Sequence, residues 1–344
     1  MASTATERLA RAVRAPEVRR AAVAAATVTG AAAAGKLALD RAARRRRDAR
    51  RFRLRRNEPF DEEIRRVARG RIDDALDCLG APEAGSGEDF ATAVHEARKS
   101  IKRARAVVRL ARPQLGEKVY RRENRALRDA GRGLAGARDA EVMLETLDEL
   151  GERCADELRS DVLADLRTHL AAERDPTRAE LARDGAVRER GVSALEDVRA
   201  RAGAWPLDDD IAGLAAGLRR TYRRGRRRVC AARDEPSAER LHEWRKRVKD
   251  LWHAYELVHS AEPKRMKARA RDAHRLSDLL GEEHDLAVLA ERATSPDLRG
   301  VIGRRRTALR DEAFALGERV YRRKPRAVER RVVARWRRRA AAAA

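Results

Sequence analysis

Self-similarity constrains this chain more than any other feature, because a repeating chain builds each copy as one unit and packs the copies together. Shifted by 147 positions, Asp61-Glu62-Glu63-Ile64 falls on Asp208-Asp209-Asp210-Ile211, and Gly70 falls on Gly217. At the same offset Val94-His95-Glu96-Ala97-Arg98-Lys99 meets Leu241-His242-Glu243-Trp244-Arg245-Lys246. One residue of slippage then pairs Leu134-Ala135 with Leu280-Gly281 and Arg138-Asp139 with His284-Asp285. The chain therefore reads as two copies of one unit, about 57–205 and 207–344, preceded by a basic Ala/Arg-rich segment, 1–56. That segment is expected to be helical or partly disordered.

The copies read as helices. Breaks fall near Gly80–Gly87, Arg112-Pro113, Gly151 and Asp175-Pro176, then near Asp234–Ser237, Glu262-Pro263 and Ser295-Pro296. This predicts about four helices per copy. Strand-like alternation is missing, and aromatics are only 3% of the chain, which argues against a sandwich or barrel. The expected fold class is all-α: two four-helix bundles from an internal duplication.

The formal charge of +24 invites the reading of a nucleic-acid binder, but its location weakens that reading. Residues 1–56 carry 16 basic and 4 acidic side chains, and 319–339 carry 11 and one. The intervening 57–318 hold 53 basic and 51 acidic residues, so a basic surface there requires segregation onto particular faces.

Such segregation is visible on helical wheels. On one helix His95, Arg98, Lys99, Lys102 and Arg109 share an arc of about 100°, with Arg105 at its margin. Val94, Ala97, Ile101, Ala104, Val108 and Ala111 lie opposite. In the second copy His242, Arg245, Lys246, Lys249 and His253 share the cationic arc against Leu241, Trp244, Val248, Leu251 and Tyr255. Like charges three and four residues apart cost a few tenths of a kcal/mol each, so two such stripes are expected to face something anionic. Further cations recur at helical spacing: Lys118, Arg121, Arg122, Arg125, Arg128 and Arg132 in one copy, and Lys264, Lys267, Arg271, His274 and Arg275 in the other. Seven arginines between Arg219 and Arg228 surround their helix on all sides and read as a solvated or auxiliary run.

Other chemistries lack their residues. Cys78, Cys154 and Cys230 form no CxxC pair, which fits a reducing compartment and buried small apolar side chains. Ala21–Ala34 is too short and too weakly apolar for a membrane span. Neither His95 nor His242 has a ligand at i+4, so no metal is expected, and the first copy has Arg138 where the second has His284. Gly131-Arg132-Gly133-Leu134-Ala135-Gly136 satisfies a dinucleotide-binding spacing, but follows a helix rather than a strand. No nucleophile–base pair or carboxylate pair is apparent, so neither catalysis nor a cofactor is expected.

At these residues the sequence resembles the CHAD domain, the conserved histidine α-helical domain. Val94–Arg105 and Leu241–Leu251 are similar to its two histidine motifs. Leu134–Ala140 and Leu280–Asp285 are similar to its Leu-Gly-x-x-x-Asp segments, and Gly317–Pro325 to its C-terminal stretch. Ala97 departs from the bulky apolar residue often found there, which alters packing more than binding. The resemblance covers about 57–340. It implies two four-helix bundles related by a pseudo-twofold axis, a basic groove, and non-catalytic binding of inorganic polyphosphate. The family's motif residues carry over to His95, Arg98, Lys102, Arg103 and Arg105, and to His242, Arg245, Lys246 and Lys249. The acidic Glu-x-Glu-x-Lys strand motif of the triphosphate tunnel enzymes often fused to this domain does not occur here.

The expected ligand is therefore inorganic polyphosphate. The full expected site adds Lys99, Arg109, Arg121, Arg125, Arg128, His253, Lys264, Lys267, Arg271, His274, Arg322, Arg323 and Lys324 to those motif residues. Non-specific nucleic-acid binding is the alternative, and weak attachment to nucleic acid or an anionic membrane through Arg41–Arg56 remains compatible with it. A metal-dependent phosphohydrolase is a third class. A cytoplasmic location, with association to polyphosphate granules, fits the favoured reading. His95 and His242 are expected to have raised pKa values beside phosphate.

Overall fold

The computed structural model describes residues 52–341, apart from 56–57, 81–86, 135–138, 155–156, 158–162 and 173–184. The segment 1–51, with most of the Arg41–Arg56 cluster, lies outside the described residues. What is described is helical, with no strand among the described residues. The helices are α1 (Phe60–Gly80), α2 (Gly87–Gly133), α3 (Asp139–Arg153), α4 (163–172) and α5 (Gly185–Arg201). After Trp205 come α6 (Ile211–Asp234), α7 (Ala238–Leu257), α8 (Pro263–Arg292), α9 (Pro296–Tyr321) and α10 (Pro325–Ala341).

Many of these boundaries are written in side chains. Asp210 and Ser237 cap α6 and α7 by accepting from Ala212 N at 3.0 Å and Arg240 N at 3.3 Å. Pro263 and Pro296 stand in the first turn, where a missing N–H costs nothing. Among the described residues, with the two arms of α2 taken together, five helices fall in 57–205 and five in 207–344, rather than about four each. In the second half the extra break falls at Arg322–Lys324, and Pro325 starts α10.

The first half differs at Pro113, which does not end its helix. The chain turns instead at Gly116, with φ 72° and ψ 166°, a conformation that favours glycine. The two arms of α2, 87–115 and 117–133, then run antiparallel. Arg112 stacks over Tyr120 at 4.2 Å, Arg105 Nε donates to Asn124 Oδ1 at 3.4 Å, and Ile101 packs on Gly131. In the second half α7 is followed by α8 after a short 3-10 turn, His259–Ala261, and the two helices pack together.

The apolar arcs form the core. Val94, Ala97, Ile101, Ala104, Val108 and Ala111 are all buried, as are Leu241, Trp244, Val248, Leu251 and Tyr255. At Gly217 the backbone of α6 lies so close to α2 that an added Cβ would fall 1.8 Å from Leu110 O. Residues 52–55 precede the expected start of the domain, yet Phe52 and Leu54 are buried in this core. Leu54 N donates to Leu257 O at 3.2 Å, and Leu54 O accepts from Ser260 Oγ at 2.6 Å. Of the three free cysteines, Cys230 is exposed, contrary to the expectation of burial, because it lies on the outer side of α6; Cys78 and Cys154 are half-buried.

Candidate functional site

With their apolar arcs buried, α2 and α7 turn the opposite arcs towards shared space. That space is a cavity of about 910 Å³. His95, Arg98 and Lys102 of α2 line it, together with His242, Arg245 and Lys249 of α7. These are matching positions of the two histidine motifs. The remaining wall comes from α3, α8 and Leu170 of α4, and α3 and α8 carry carboxylates: Glu145, Glu149, Asp278, Glu282 and Asp285. The acids are thus not confined to outer faces.

Most of these carboxylates have cationic neighbours of their own. Glu282 accepts from Arg153 at 2.8 Å and from Arg305 at 2.7 Å, and Asp278 pairs with His274 at 2.9 Å. Asp285 stands 3.8 Å from Arg245, close enough to orient the guanidinium without a tight bond. Arg245 Nε is buried without a hydrogen-bond partner. Gly281 gives this side chain its room, since an added Cβ would sit 2.8 Å from Arg245 Nη2.

Crowding of like charge changes how the site titrates. Burial, followed by the charges of Arg245 and Lys102, pushes Lys249 down to about 7, against an ordinary lysine value of 10.5. Burial, with His284 next in weight, pushes His242 down to about 4. The two imidazole rings lie 4.2 Å apart. Burial, then Arg245, also lowers His284. In the unliganded protein His242 is therefore neutral at pH 7. The expected raised value is not its starting point, and Lys249, brought to about 7, titrates near neutrality.

The other expected residues lie elsewhere. Lys99 and Lys246 pair with Glu96 and Glu243 at 2.8 and 2.7 Å, the same local pair in both motifs. Arg103 lies over Phe52 at 5.8 Å. Arg105 is drawn towards the second arm of α2, where burial, then Arg109, lowers it to about 10. Arg109 is bonded to Asp250. His253 is buried, packed edge-on against Phe52 and stacked on Trp252, with Glu256 as its partner at 3.3 Å; burial lowers its pKa. Residues 52–55 cover that end of α7, which is why its place on the cationic arc does not bring it into the cavity.

The remaining residues lie on other surfaces, exposed except for half-buried Arg128. Arg121 and Arg128 pair with Glu117 and Asp129, and Arg125 is exposed near them. Lys264, Lys267 and Arg271 lie outward on α8, with Arg271 paired to Asp272. His274 meets Trp252 edge-on at 4.0 Å. Arg322, Arg323 and Lys324 form the exposed turn between α9 and α10, and Arg323 N donates to Tyr222 Oη at 3.0 Å. Conversely, Arg153, His284 and Arg292 line the cavity and were not among the expected ligands. Only His284 carried a signal, as the aligned partner of Arg138 beside the Leu-Gly segment.

The sequence profile of the CHAD domain matches residues 70–294, and the chain belongs to the CHAD domain family. All the cavity-lining residues fall within the matched stretch. Among curated proteins, none matches this sequence at a significant level. Among the described residues no helix is long and apolar enough to cross a membrane, and no group of three or more side chains is placed to hold a metal ion.

Proposed function

We propose that this protein binds inorganic polyphosphate, without chemical change to it, along the α2–α7 wall of the cavity. The observation that carries the reading is that His95, Arg98 and Lys102 and their motif counterparts His242, Arg245 and Lys249 wall one cavity. Arginine offers two parallel donors to phosphate oxygens and lysine a point charge. A linear polyanion lying against this wall offsets the charges of Arg245 and Lys102, which add to burial in lowering Lys249. The carboxylates of α3 and α8 keep the polymer to the opposite side.

The reading includes an internal duplication, 57–205 and 207–344, forming two bundles with a pseudo-twofold relation and a basic groove. Two similarities support it: each histidine helix is followed by an antiparallel partner, and the Lys99–Glu96 pair recurs as Lys246–Glu243. Fully buried Trp244 and nearly buried Tyr255 offer no face for stacking bases, which favours polyphosphate over nucleic acid. A competition titration tests the ligand class. RNA added at equal phosphate concentration is expected to leave long-chain polyphosphate bound, and no orthophosphate is expected to appear with Mg²⁺ or Mn²⁺ present. Displacement by RNA, or phosphate release, contradicts the proposal.

A further inference from the structure

A second concentration of positive charge lies outside the cavity, where α2, α6 and α7 meet. Arg109 and Arg112 of α2, Arg220 and Arg224 of α6, and Arg247 of α7 line one crevice, and Asp250 is its single carboxylate. Asp250 is already engaged on both oxygens, by Arg109 and, at 3.0 Å, by Arg247. Arg112 is occupied by Glu117 at 2.6 Å. Arg220 and Arg224 have no ion pair among the described residues.

Two carboxylates, Asp250 and Glu117, answer Arg109, Arg247 and Arg112, and the five guanidinium groups keep an excess of positive charge centred on Arg220 and Arg224. Guanidinium keeps its proton under all ordinary conditions, so the crevice cannot shed this charge as the cavity can through Lys249. Partial burial, followed by Arg247, lowers the pKa of Arg224. Arg247 Nε is buried with no acceptor, an arrangement that normally signals a missing partner.

We propose that this crevice is a second, arginine-only oxyanion site, which takes one tetrahedral phosphate group. As it stands the space is about 10 Å³, room for little more than a water. A phosphate enters by parting Arg220 and Arg224, whose side chains on α6 are partly or fully open to solvent. Its oxygens then share Arg247 and Arg109 with Asp250, which acts as the resident competitor. The group is either free orthophosphate or the end of a polyphosphate chain. The site itself does not require that polyphosphate fills the cavity.

The test uses the full chain carrying Arg245→Ala and Lys249→Ala, so that the cavity is disabled, with inorganic orthophosphate as the probe in calorimetry. Orthophosphate binding is expected to persist in this background. Adding Arg224→Glu is expected to weaken it at least tenfold, and adding Asp250→Asn to strengthen it at least threefold. Arg224 is exposed, so its substitution spares the core, and an unchanged thermal melt verifies the fold. No orthophosphate binding in the background, or binding indifferent to Arg224→Glu, overturns the proposal. Long-chain polyphosphate on the single Arg224→Glu variant assigns the source: weakened binding makes the ligand the polymer's end, and unchanged binding makes it the free ion. Loss of long-chain binding in the cavity background alone bears on the cavity and leaves the crevice result standing.

Discussion

The cavity and the crevice are both cationic, yet built on opposite plans. The cavity mixes lysine, arginine and histidine with five carboxylates on its far wall, and one lysine in it titrates near 7. The crevice is made of arginines, has one carboxylate, and keeps its charge at any ordinary pH. The difference teaches that crowding cations together has two outlets. A lysine gives up its proton, whereas an arginine cluster retains its charge and depends on an anion. The protein side of affinity is therefore tunable by pH in the cavity, whereas in the crevice only the ligand's own ionisation varies with pH.

The largest effect that sharpens this contrast comes from dividing the cavity's wall. Reversing Arg98 and Lys102 to glutamate, or Arg245 and Lys249 to glutamate, should each weaken long-chain polyphosphate binding about 100-fold, since a charge-assisted contact contributes about 1.5 kcal/mol or more. Isothermal titration at fixed salt reads it. A large loss from one pair and none from the other would break the idea of a shared wall.

The pH profile follows in size. Binding an anion favours the ammonium form, so it raises the pKa of Lys249 from its free value of about 7. The contribution of Lys249 is then full below pH 7 and is lost as pH rises towards the bound-state value. Affinity should fall about tenfold between pH 6.5 and 8.5, the loss expected from one pKa unit or more of linkage. Lys249→Met should flatten the profile. His242, held near 4, should contribute no change in this range, and orthophosphate binding at the crevice should depend on pH only through the phosphate itself.

A smaller effect is expected at Gly281. Valine there collides with Arg245 and should weaken polyphosphate binding several-fold while sparing the crevice. The smallest test is a control: Ser237→Ala removes the cap of α7, should cost about 1 kcal/mol of stability in a denaturant melt, and should leave both affinities in place.

Much of the cavity was legible in the sequence because periodicity and burial are linked. A buried arc on α2 or α7 fixes where the opposite arc points, so His95, Arg98, Lys102, His242, Arg245 and Lys249 emerge together. A wheel gives direction along one helix, but not what stands opposite it. It therefore shows neither the carboxylates of α3 and α8 as the facing wall nor the ion pair that places Arg109 with Asp250 in the crevice. His253 was hidden for a related reason, since residues 52–55 lie before the expected domain. The turn at Gly116 was misplaced to Pro113 because proline is the louder signal. Proline removes one hydrogen bond, whereas the positive φ at Gly116 reverses the chain. The arginines of α6 looked uniformly solvated, and only the packing of α6 against α2 and α7 draws Arg220 and Arg224 into a crevice.

The account rests most directly on one comparison: equilibrium binding of long-chain polyphosphate to the full chain and to its Arg98→Glu, Lys102→Glu, Arg245→Glu, Lys249→Glu variant, across a series of salt concentrations. Tight binding by the parent, and loss of at least 100-fold in the variant with a shallower dependence on salt, is the predicted result. Equal affinity and an equal salt slope for the two proteins would contradict it.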